Sequence, residues 1–303
     1  MSRLCVACDH PEPFVTHYQR DGYTLVRCPE CTLVFQHPQP SPEAMATLYY
    51  QDEELARRLD GDLRGFTLAR GREKLDLLKA AGVEPRGDLL DVGCSSGAWL
   101  EVAREAGWKG QGVEIGEPFA ARARAKGLAV HTGTLEDAAA STLGGRRFRL
   151  ITLFDVLEHL PEPLAALRIV RDLLEPGGTI ALTAPNIEGL YPRLTHRLLA
   201  RRTGVWEYPE LPAHLYDFSP GTASRLLLRA GLEPVFVSTT PVPFEFYRAT
   251  SLPTQLNPKG RRGRALWLAF EALRVVAYPL ARRSDRENAL FMTARPGEPQ
   301  PPQ

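Results

Sequence analysis

No window of the 303-residue chain strings together the roughly 20 uncharged apolar residues needed to cross a bilayer. The opening residues, MSRLCVACDHPEP, have no apolar run of the kind that leads secretion. A membrane-spanning protein and an exported one are both disfavoured, and the expected compartment is the cytoplasm. Net charge is nearly absent too: 37 Lys and Arg offset 36 Asp and Glu, for a formal +1. That balance gives no global electrostatic footprint for nucleic acid, and no nucleic-acid partner is expected. Cysteine is scarce, with five residues in all, and a reducing compartment makes disulfides the poorer use for them. The chain has no internal repeat.

What is present is a composition of 44% apolar residues, enough for a soluble globular protein with a substantial core. Four of the five cysteines form Cys5-x-x-Cys8 and Cys28-x-x-Cys31, with 19 residues between the pairs. Two such pairs offer four thiolates to one tetrahedral ion, the pattern of structural zinc. A rubredoxin-type iron centre and a metal-free remnant are the other readings. Residues 1–40 are too few to bury a core unaided, so bound metal would supply folding energy that this module lacks. Ser41 as N-cap and Pro42 at the first helical position predict a linking helix within 41–65.

From residue 66 the rhythm changes to alternating strand-like and helix-like segments. Strands are predicted at 89–93, 110–115, 129–133, 148–155, 178–184, 234–240 and 288–295. Seven strands, five of them separated by helical patterns, call for an open α/β sheet with helices on both faces, over 66–296. The final residues, 297–303, have the composition of a disordered tail. Residues 185–223 and 241–287 form connections longer than a βα unit requires, and such loops commonly serve as lids or binding surfaces.

The stretch LLDVGCSSGAWLEVA carries the chemistry. Gly93 and Gly97 frame a strand-to-helix turn that lets the chain pass close to a ligand, with free helix N–H groups nearby. A dinucleotide fingerprint needs glycine two positions after Gly93, but Ser95 stands there, which argues against NAD. Asp91 lies at the end of the first strand, placed to hold a cationic amino-acid group. Glu114 lies at the tip of the second, where a carboxylate takes both hydroxyls of a ribose. The ligand called for is a nucleoside with an amino-acid tail.

In this order, LLDVGCSSG, GVEIGE, TGTLEDA, FRLITLFDVLEHLPEP and LLEPGGTIALTAPN resemble the class I S-adenosylmethionine-dependent methyltransferases. The resemblance implies a Rossmann-like, seven-stranded mixed sheet in the order 3-2-1-4-5-7-6, and S-adenosylmethionine as cofactor. It places Asp91, Gly93 and Gly97 at the methionine half, with Cys94 as a small filler in the turn. Glu114 falls at the ribose, Thr134 and Leu135 at the adenine, and Ile115 and Phe154 in the same cofactor pocket. Many relatives carry a carboxylate where this chain has Thr134.

In an open α/β sheet the fourth and fifth strands point at the acceptor, so FDVLEHLPEP floors the site. Asp155, Glu158 and His159 are the candidate catalytic residues, and His159 has the side chain whose ordinary pKa, about 6.5, lies nearest neutrality. His159 has a plainer reading as a residue packing the turn before proline. DVLEH and the later AHLYDFS also look like the divalent-metal site of ubiquinone-pathway and small-RNA methyltransferases, which would put Mg²⁺ at Glu158, His159 and His214. Asn186, after the fifth strand, would either contact substrate or shape the turn.

The run RCPECTLVFQHPQPSPEAMATLYY resembles the N-terminal module of bacterial methyltransferases tied to sugar or polysaccharide modification. Together these features imply methyl transfer to a small-molecule acceptor, foremost a hydroxyl of a sugar or related metabolite. A zinc-ribbon and nucleotide-binding scaffold without catalysis, which binds protein or nucleic acid, is the alternative. Finally, residues 259–286 hold an apolar helix with arginines on both sides, containing a Glu271/Arg274 pair. That segment suits contact with an anionic membrane surface and a lipid-linked acceptor, or else a lid or a dimer contact.

Overall fold

The computed structural model describes residues 4–41, 44–45, 52–241 and 261–297. The strands are β1 (Val15–Arg20), β2 (Tyr23–Arg27), β3 (Val34–Gln36), β4 (Asp88–Val92), β5 (Lys109–Glu114), β6 (Ala129–Thr132), β7 (Phe148–Phe154), β8 (Leu174–Pro185), β9 (Tyr216–Asp217), β10 (Leu232–Thr240) and β11 (Ala289–Pro296). The helices are α1 (Glu53–Asp60), α2 (Arg64–Ala80), α3 (Ala98–Ala106), α4 (Glu117–Ala125), α5 (Leu135–Ala140), α6 (Pro163–Leu173), α7 (Leu190–Thr195), α8 (Pro220–Arg229) and α9 (Arg261–Ser284). A π turn at His196–Ala200 and a last turn at Arg201–Thr203 prolong α7. The chain divides into two compact units.

One unit comprises Met1–Gln39, Ala184–Ala223 and Val237–Phe291. Its sheet runs β1-β2-β3-β9. β1 and β2 form an antiparallel hairpin closed by Asp21 and Gly22, both at positive φ. An Asp-Gly turn of this kind matches the twist of the flanking strands. Tyr18, Leu25 and Val34 from these strands pack against Ala200, Trp206 and Tyr208. The Tyr18 hydroxyl donates to the Gly204 carbonyl at 3.1 Å and accepts from the Trp206 amide at 2.9 Å. The N-terminal strands thus share one core with residues far along the chain.

The other unit comprises Pro40–Thr183, Ser224–Phe236 and Met292–Gln303. Its architecture is a seven-stranded sheet in the order β10-β11-β8-β7-β4-β5-β6. Counted from β4 as the first strand, this is the expected 3-2-1-4-5-7-6 order read from the other edge. β4 pairs in parallel with β5 and β7, and β5 with β6. β4 reads DLLDV because it lies mid-sheet: Leu89 and Leu90 point to opposite faces and are both fully buried, as a two-sided parallel strand requires. Each predicted strand is found; β8 begins earlier than 178, because Leu174 already pairs with Phe148.

Ser41 behaves as the expected N-cap, its hydroxyl accepting from the Ala44 amide at 3.3 Å. Residues 42–43 and 46–51 of the predicted linking helix lie outside the described residues, as do 259–260 and the tail from 298. α1 has its own cap, with Asp52 accepting from the Leu55 amide at 2.8 Å. No helix among the described residues is long and apolar enough to cross a membrane.

Candidate active site

The turn after β4 folds as its glycines dictate. Gly93, Ser95 and Gly97 all have positive φ, at 70°, 48° and 82°, and the left-handed region carries least strain for glycine. A Cβ on Gly93 would strike Val156, and one on Gly97 would strike Leu128 and Ala123. The glycines therefore serve backbone conformation and close packing of the surrounding chain. Cys94 is the expected filler: its thiol sits beneath Gly112, 4% exposed, and burial pushes it well above the ordinary thiol pKa.

Two carboxylates flank this turn. Glu114, at the end of β5, accepts from the backbone amides of Ser95 and Gly116, each at 2.8 Å. One amide per oxygen locks the carboxylate and leaves each oxygen a further lone pair. Burial raises its pKa, against the hydrogen bonds from Gly116, Ser95 and Ile115. Asp91, at the end of β4, is 3% exposed and accepts a 2.7 Å hydrogen bond from the Thr152 hydroxyl. The indole of Trp99 in turn donates to Thr152 at 3.2 Å, which leaves the Thr152 proton for Asp91. Burial pushes Asp91 up to about 7, with Glu114 adding to the rise while Thr152 and Lys74 oppose it.

Two buried acids of like charge are a costly arrangement without a cation. The amino-acid end of S-adenosylmethionine is an ammonium, and its sulfur carries a positive charge. The donor set therefore fits that cofactor on charge and on hydrogen bonding. Ile115 beside Glu114 stays 38% exposed, an apolar surface suited to a nucleoside. Leu135 is buried at the start of α5. Thr134 opens α5: its hydroxyl accepts from the Asp137 amide at 3.1 Å in a capping box.

The floor of the site follows β7. Phe154 packs edge-on against Trp99 with ring centroids 5.3 Å apart, and the ammonium of Lys74 lies 4.6 Å over its ring. Lys74 also pairs with Asp155 at 3.0 Å, and the Thr183 hydroxyl donates to Asp155 at 2.8 Å. The inner side of Asp155 is densely packed, which opposes ionisation. Lys74, then Arg70, and the hydrogen bonds override that and hold its carboxyl down at about 2. Asp155 is thus a fixed anion at positive φ, a poor proton acceptor. Glu158 is buried and His159 half-buried in a short 3-10 turn, Leu157–His159, whose last amide bonds the Val156 carbonyl at 3.0 Å.

Lys74, Trp99 and Thr152 escaped the sequence reading. Nothing in their spacing marks them: they reach Phe154, Asp155 and Asp91 only because α2, α3 and β7 converge on β4.

In the first unit, His214 is buried, its Nε2 3.6 Å from Glu210, and its carbonyl accepts from Gln36 at 2.8 Å. Asn186 shapes a turn: its Nδ2 donates to the Glu287 carbonyl at 2.8 Å and its Oδ1 accepts from the Glu188 amide at 3.1 Å. The cysteines converge as their spacing implied. Cys5 and Cys31 sulfurs lie 3.4 Å apart and those of Cys8 and Cys28 3.6 Å, and all four fall within 4.8 Å of one another. These separations exceed a disulfide's and are close to the edge of an S₄ tetrahedron with metal bonds of about 2.3 Å.

Sheet order, glycine turn and paired acids define the class I S-adenosylmethionine-dependent methyltransferase fold. The chain resembles a SAM-dependent methyltransferase from Archaeoglobus fulgidus (TM-score 0.51, 18% identity, 76% of this chain and 93% of that one). It resembles in the same way the magnesium protoporphyrin IX methyltransferase of Synechocystis PCC 6803, solved with bound SAH (TM-score 0.52, 14% identity, 83% and 98%). A family model described as a methyltransferase domain matches residues 64–237, and the chain belongs to that family.

Among curated proteins it is similar to the ubiquinone biosynthesis O-methyltransferase of Xanthomonas campestris pv. campestris, at 30% identity over 161 residues. It is likewise similar to that of Ruegeria pomeroyi, at 32% over 159. The alignments take in 48% of this chain and 66% and 60% of those relatives, so the chain spans less than two thirds of their length.

Proposed function

We propose that the protein transfers a methyl group from S-adenosylmethionine to a hydroxyl oxygen of a small hydroxylated metabolite, a sugar or a related molecule. The observation that carries this reading is the pair of buried acids, Asp91 and Glu114, on neighbouring strand tips around the glycine turn. Asp91 would hold the ammonium and Glu114 the ribose hydroxyls, with Ile115 and Leu135 against the adenine. The cofactor would supply an electrophilic methyl group on a sulfonium, and the protein lowers the barrier chiefly by holding donor and acceptor in line.

Lys74 and Thr183 keep Asp155 ionised, so it contributes fixed negative charge and leaves proton removal to His159. Transfer to oxygen is favoured by the need for a base beside the site and by the similarity to O-methyltransferases. The four thiols of the first unit would bind one structural Zn²⁺, which ties Cys5 and Cys8 to Cys28 and Cys31. Action in the cytoplasm belongs to the same reading.

The test is incubation of the purified protein with labelled S-adenosylmethionine and a panel of sugars, nucleotide sugars and phenols. Label in an alkali-stable methyl ether is the expected product. His159→Gln should lower kcat by about 10²-fold or more while leaving cofactor binding in place. Label recovered only on nitrogen or carbon would overturn the choice of oxygen, and absence of cofactor binding would overturn the whole reading.

A further inference from the structure

We infer that the outer face of α9 rests on the surface of an anionic lipid bilayer. The inference goes beyond the methyl-transfer reading and does not depend on it.

α9 is apolar on two opposite sides. Its inner side is already packed: Phe270 and Ala277 are buried with Tyr191, and half-buried Leu190, Leu194 and Leu273 close around them. Arg274 is fastened there too, to Glu207 at 2.7 Å and to Glu271 at 2.8 Å. This is the Glu271/Arg274 pair the sequence suggested, and it takes the helix's one acid out of play on the outer side.

At about 100° per residue, Leu268, Ala272, Val275, Val276, Pro279 and Leu280 form a stripe along the other side. All six are exposed, Leu268 by 59%, Val275 by 72%, Val276 by 58% and Leu280 by 48%. A helix that needed only to cover its own unit would carry polar residues at these positions.

The charges choose the occupant. Arg262 and Arg264 are exposed near the start of the stripe, and Arg282 and Arg283 at its end. Of these, Arg282 has a carboxylate within reach, Glu287 at 3.6 Å. An apolar stripe ending in arginines at both ends is the pattern of a helix lying in the plane of a membrane, its apolar side sunk into the acyl boundary and its cations among anionic headgroups. A second copy of the chain is a poorer fit. In a two-fold dimer through this stripe, the same arginine-rich ends would face one another, four arginines from each copy against the few acids beside Arg282.

The experiment is co-sedimentation of the full chain with vesicles of phosphatidylcholine alone and of phosphatidylcholine with about 30 mol% phosphatidylglycerol. Binding to the anionic vesicles, at least tenfold weaker on neutral ones and weakened by high salt, is expected. Val275→Asp and the double change Arg264→Glu with Arg283→Glu should each reduce it about tenfold or more. These positions are solvent-exposed, so unchanged circular dichroism and melting temperature will show that the fold is intact. The inference is overturned by failure to bind anionic vesicles, or by binding that Val275→Asp leaves unchanged. A concentration-dependent dimer that Val275→Asp dissociates, without vesicle binding, would assign the stripe to a second copy instead.

Discussion

Asp91 makes the cofactor reading measurable through pH. Its carboxyl is pushed up from an ordinary 3.8 to about 7 by burial, so ionising it there costs on the order of 4 kcal/mol. A group raised this way is protonated in the folded protein while its unfolded counterpart is ionised. Its ionisation therefore lowers stability as pH climbs from about 4 to about 7, and the loss stays constant above that. Binding has the opposite dependence. A cationic amino-acid group prefers the ionised form, so affinity for S-adenosylmethionine should strengthen as pH rises towards 7. With half of Asp91 ionised near pH 7 and only a few per cent near pH 5.5, affinity should be roughly 15-fold weaker at the lower value. Isothermal titration calorimetry across that range in constant ionic strength reads this directly. Asp91→Asn keeps the shape and the Thr152 contact but has no proton to lose; it should bind about tenfold or more weakly at pH 7 and show little slope. A wild-type affinity that is flat between these pH values, or an Asn variant that retains the full slope, refutes the assignment of Asp91 to the ammonium.

Other consequences can be checked separately. Lys74→Ala should release Asp155, whose carboxyl resonance in NMR titration would move up from about 2 towards the ordinary 3.9; an unmoved resonance would show that Lys74 does not hold it. Because that carboxyl is depressed, its contribution to stability is present above about 4 and lost as pH falls through about 2, and solvent screening keeps it small. Tyr18→Phe removes the hydroxyl between Gly204 and Trp206 and strands a buried amide, for a loss of about 1–3 kcal/mol in urea denaturation; a change near zero would mean that the bridge is not needed. Elemental analysis of natively purified protein should find one zinc per chain, and Cys28→Ser with Cys31→Ser should lose it and melt at lower temperature. Full retention of zinc in that double variant would exclude the four-thiol site.

The seven strands were legible because each obeys local rules: apolar runs of strand length, punctuated by glycine and separated by helical spacing. Asp91 and Glu114 were legible for a related reason, since a residue at a strand's end is positioned by the strand and needs no distant partner to place it. The capping box at Thr134 was legible too, since it is a local hydrogen-bond pattern readable in TLED. The roles of Asp155 and His159 were not separable in sequence. Both occur in one short motif, and distant groups, Lys74 81 residues earlier with Arg70 and Thr183, make one of them a permanent anion.

While the strand order came with the family resemblance, what the amino-acid order determined by itself was therefore the alternating α/β architecture, the glycine turn with its two acids, and the convergence of four cysteines. These depend on neighbours within a few residues or on spacings that backbone geometry converts into position. Tertiary structure alone decided that strands near the N-terminus share a core with Trp206, that a threonine and an indole orient Asp91, and that an apolar stripe of α9 is exposed among the described residues. Each depends on which distant segments meet, and long-range packing leaves no periodic trace in a single chain.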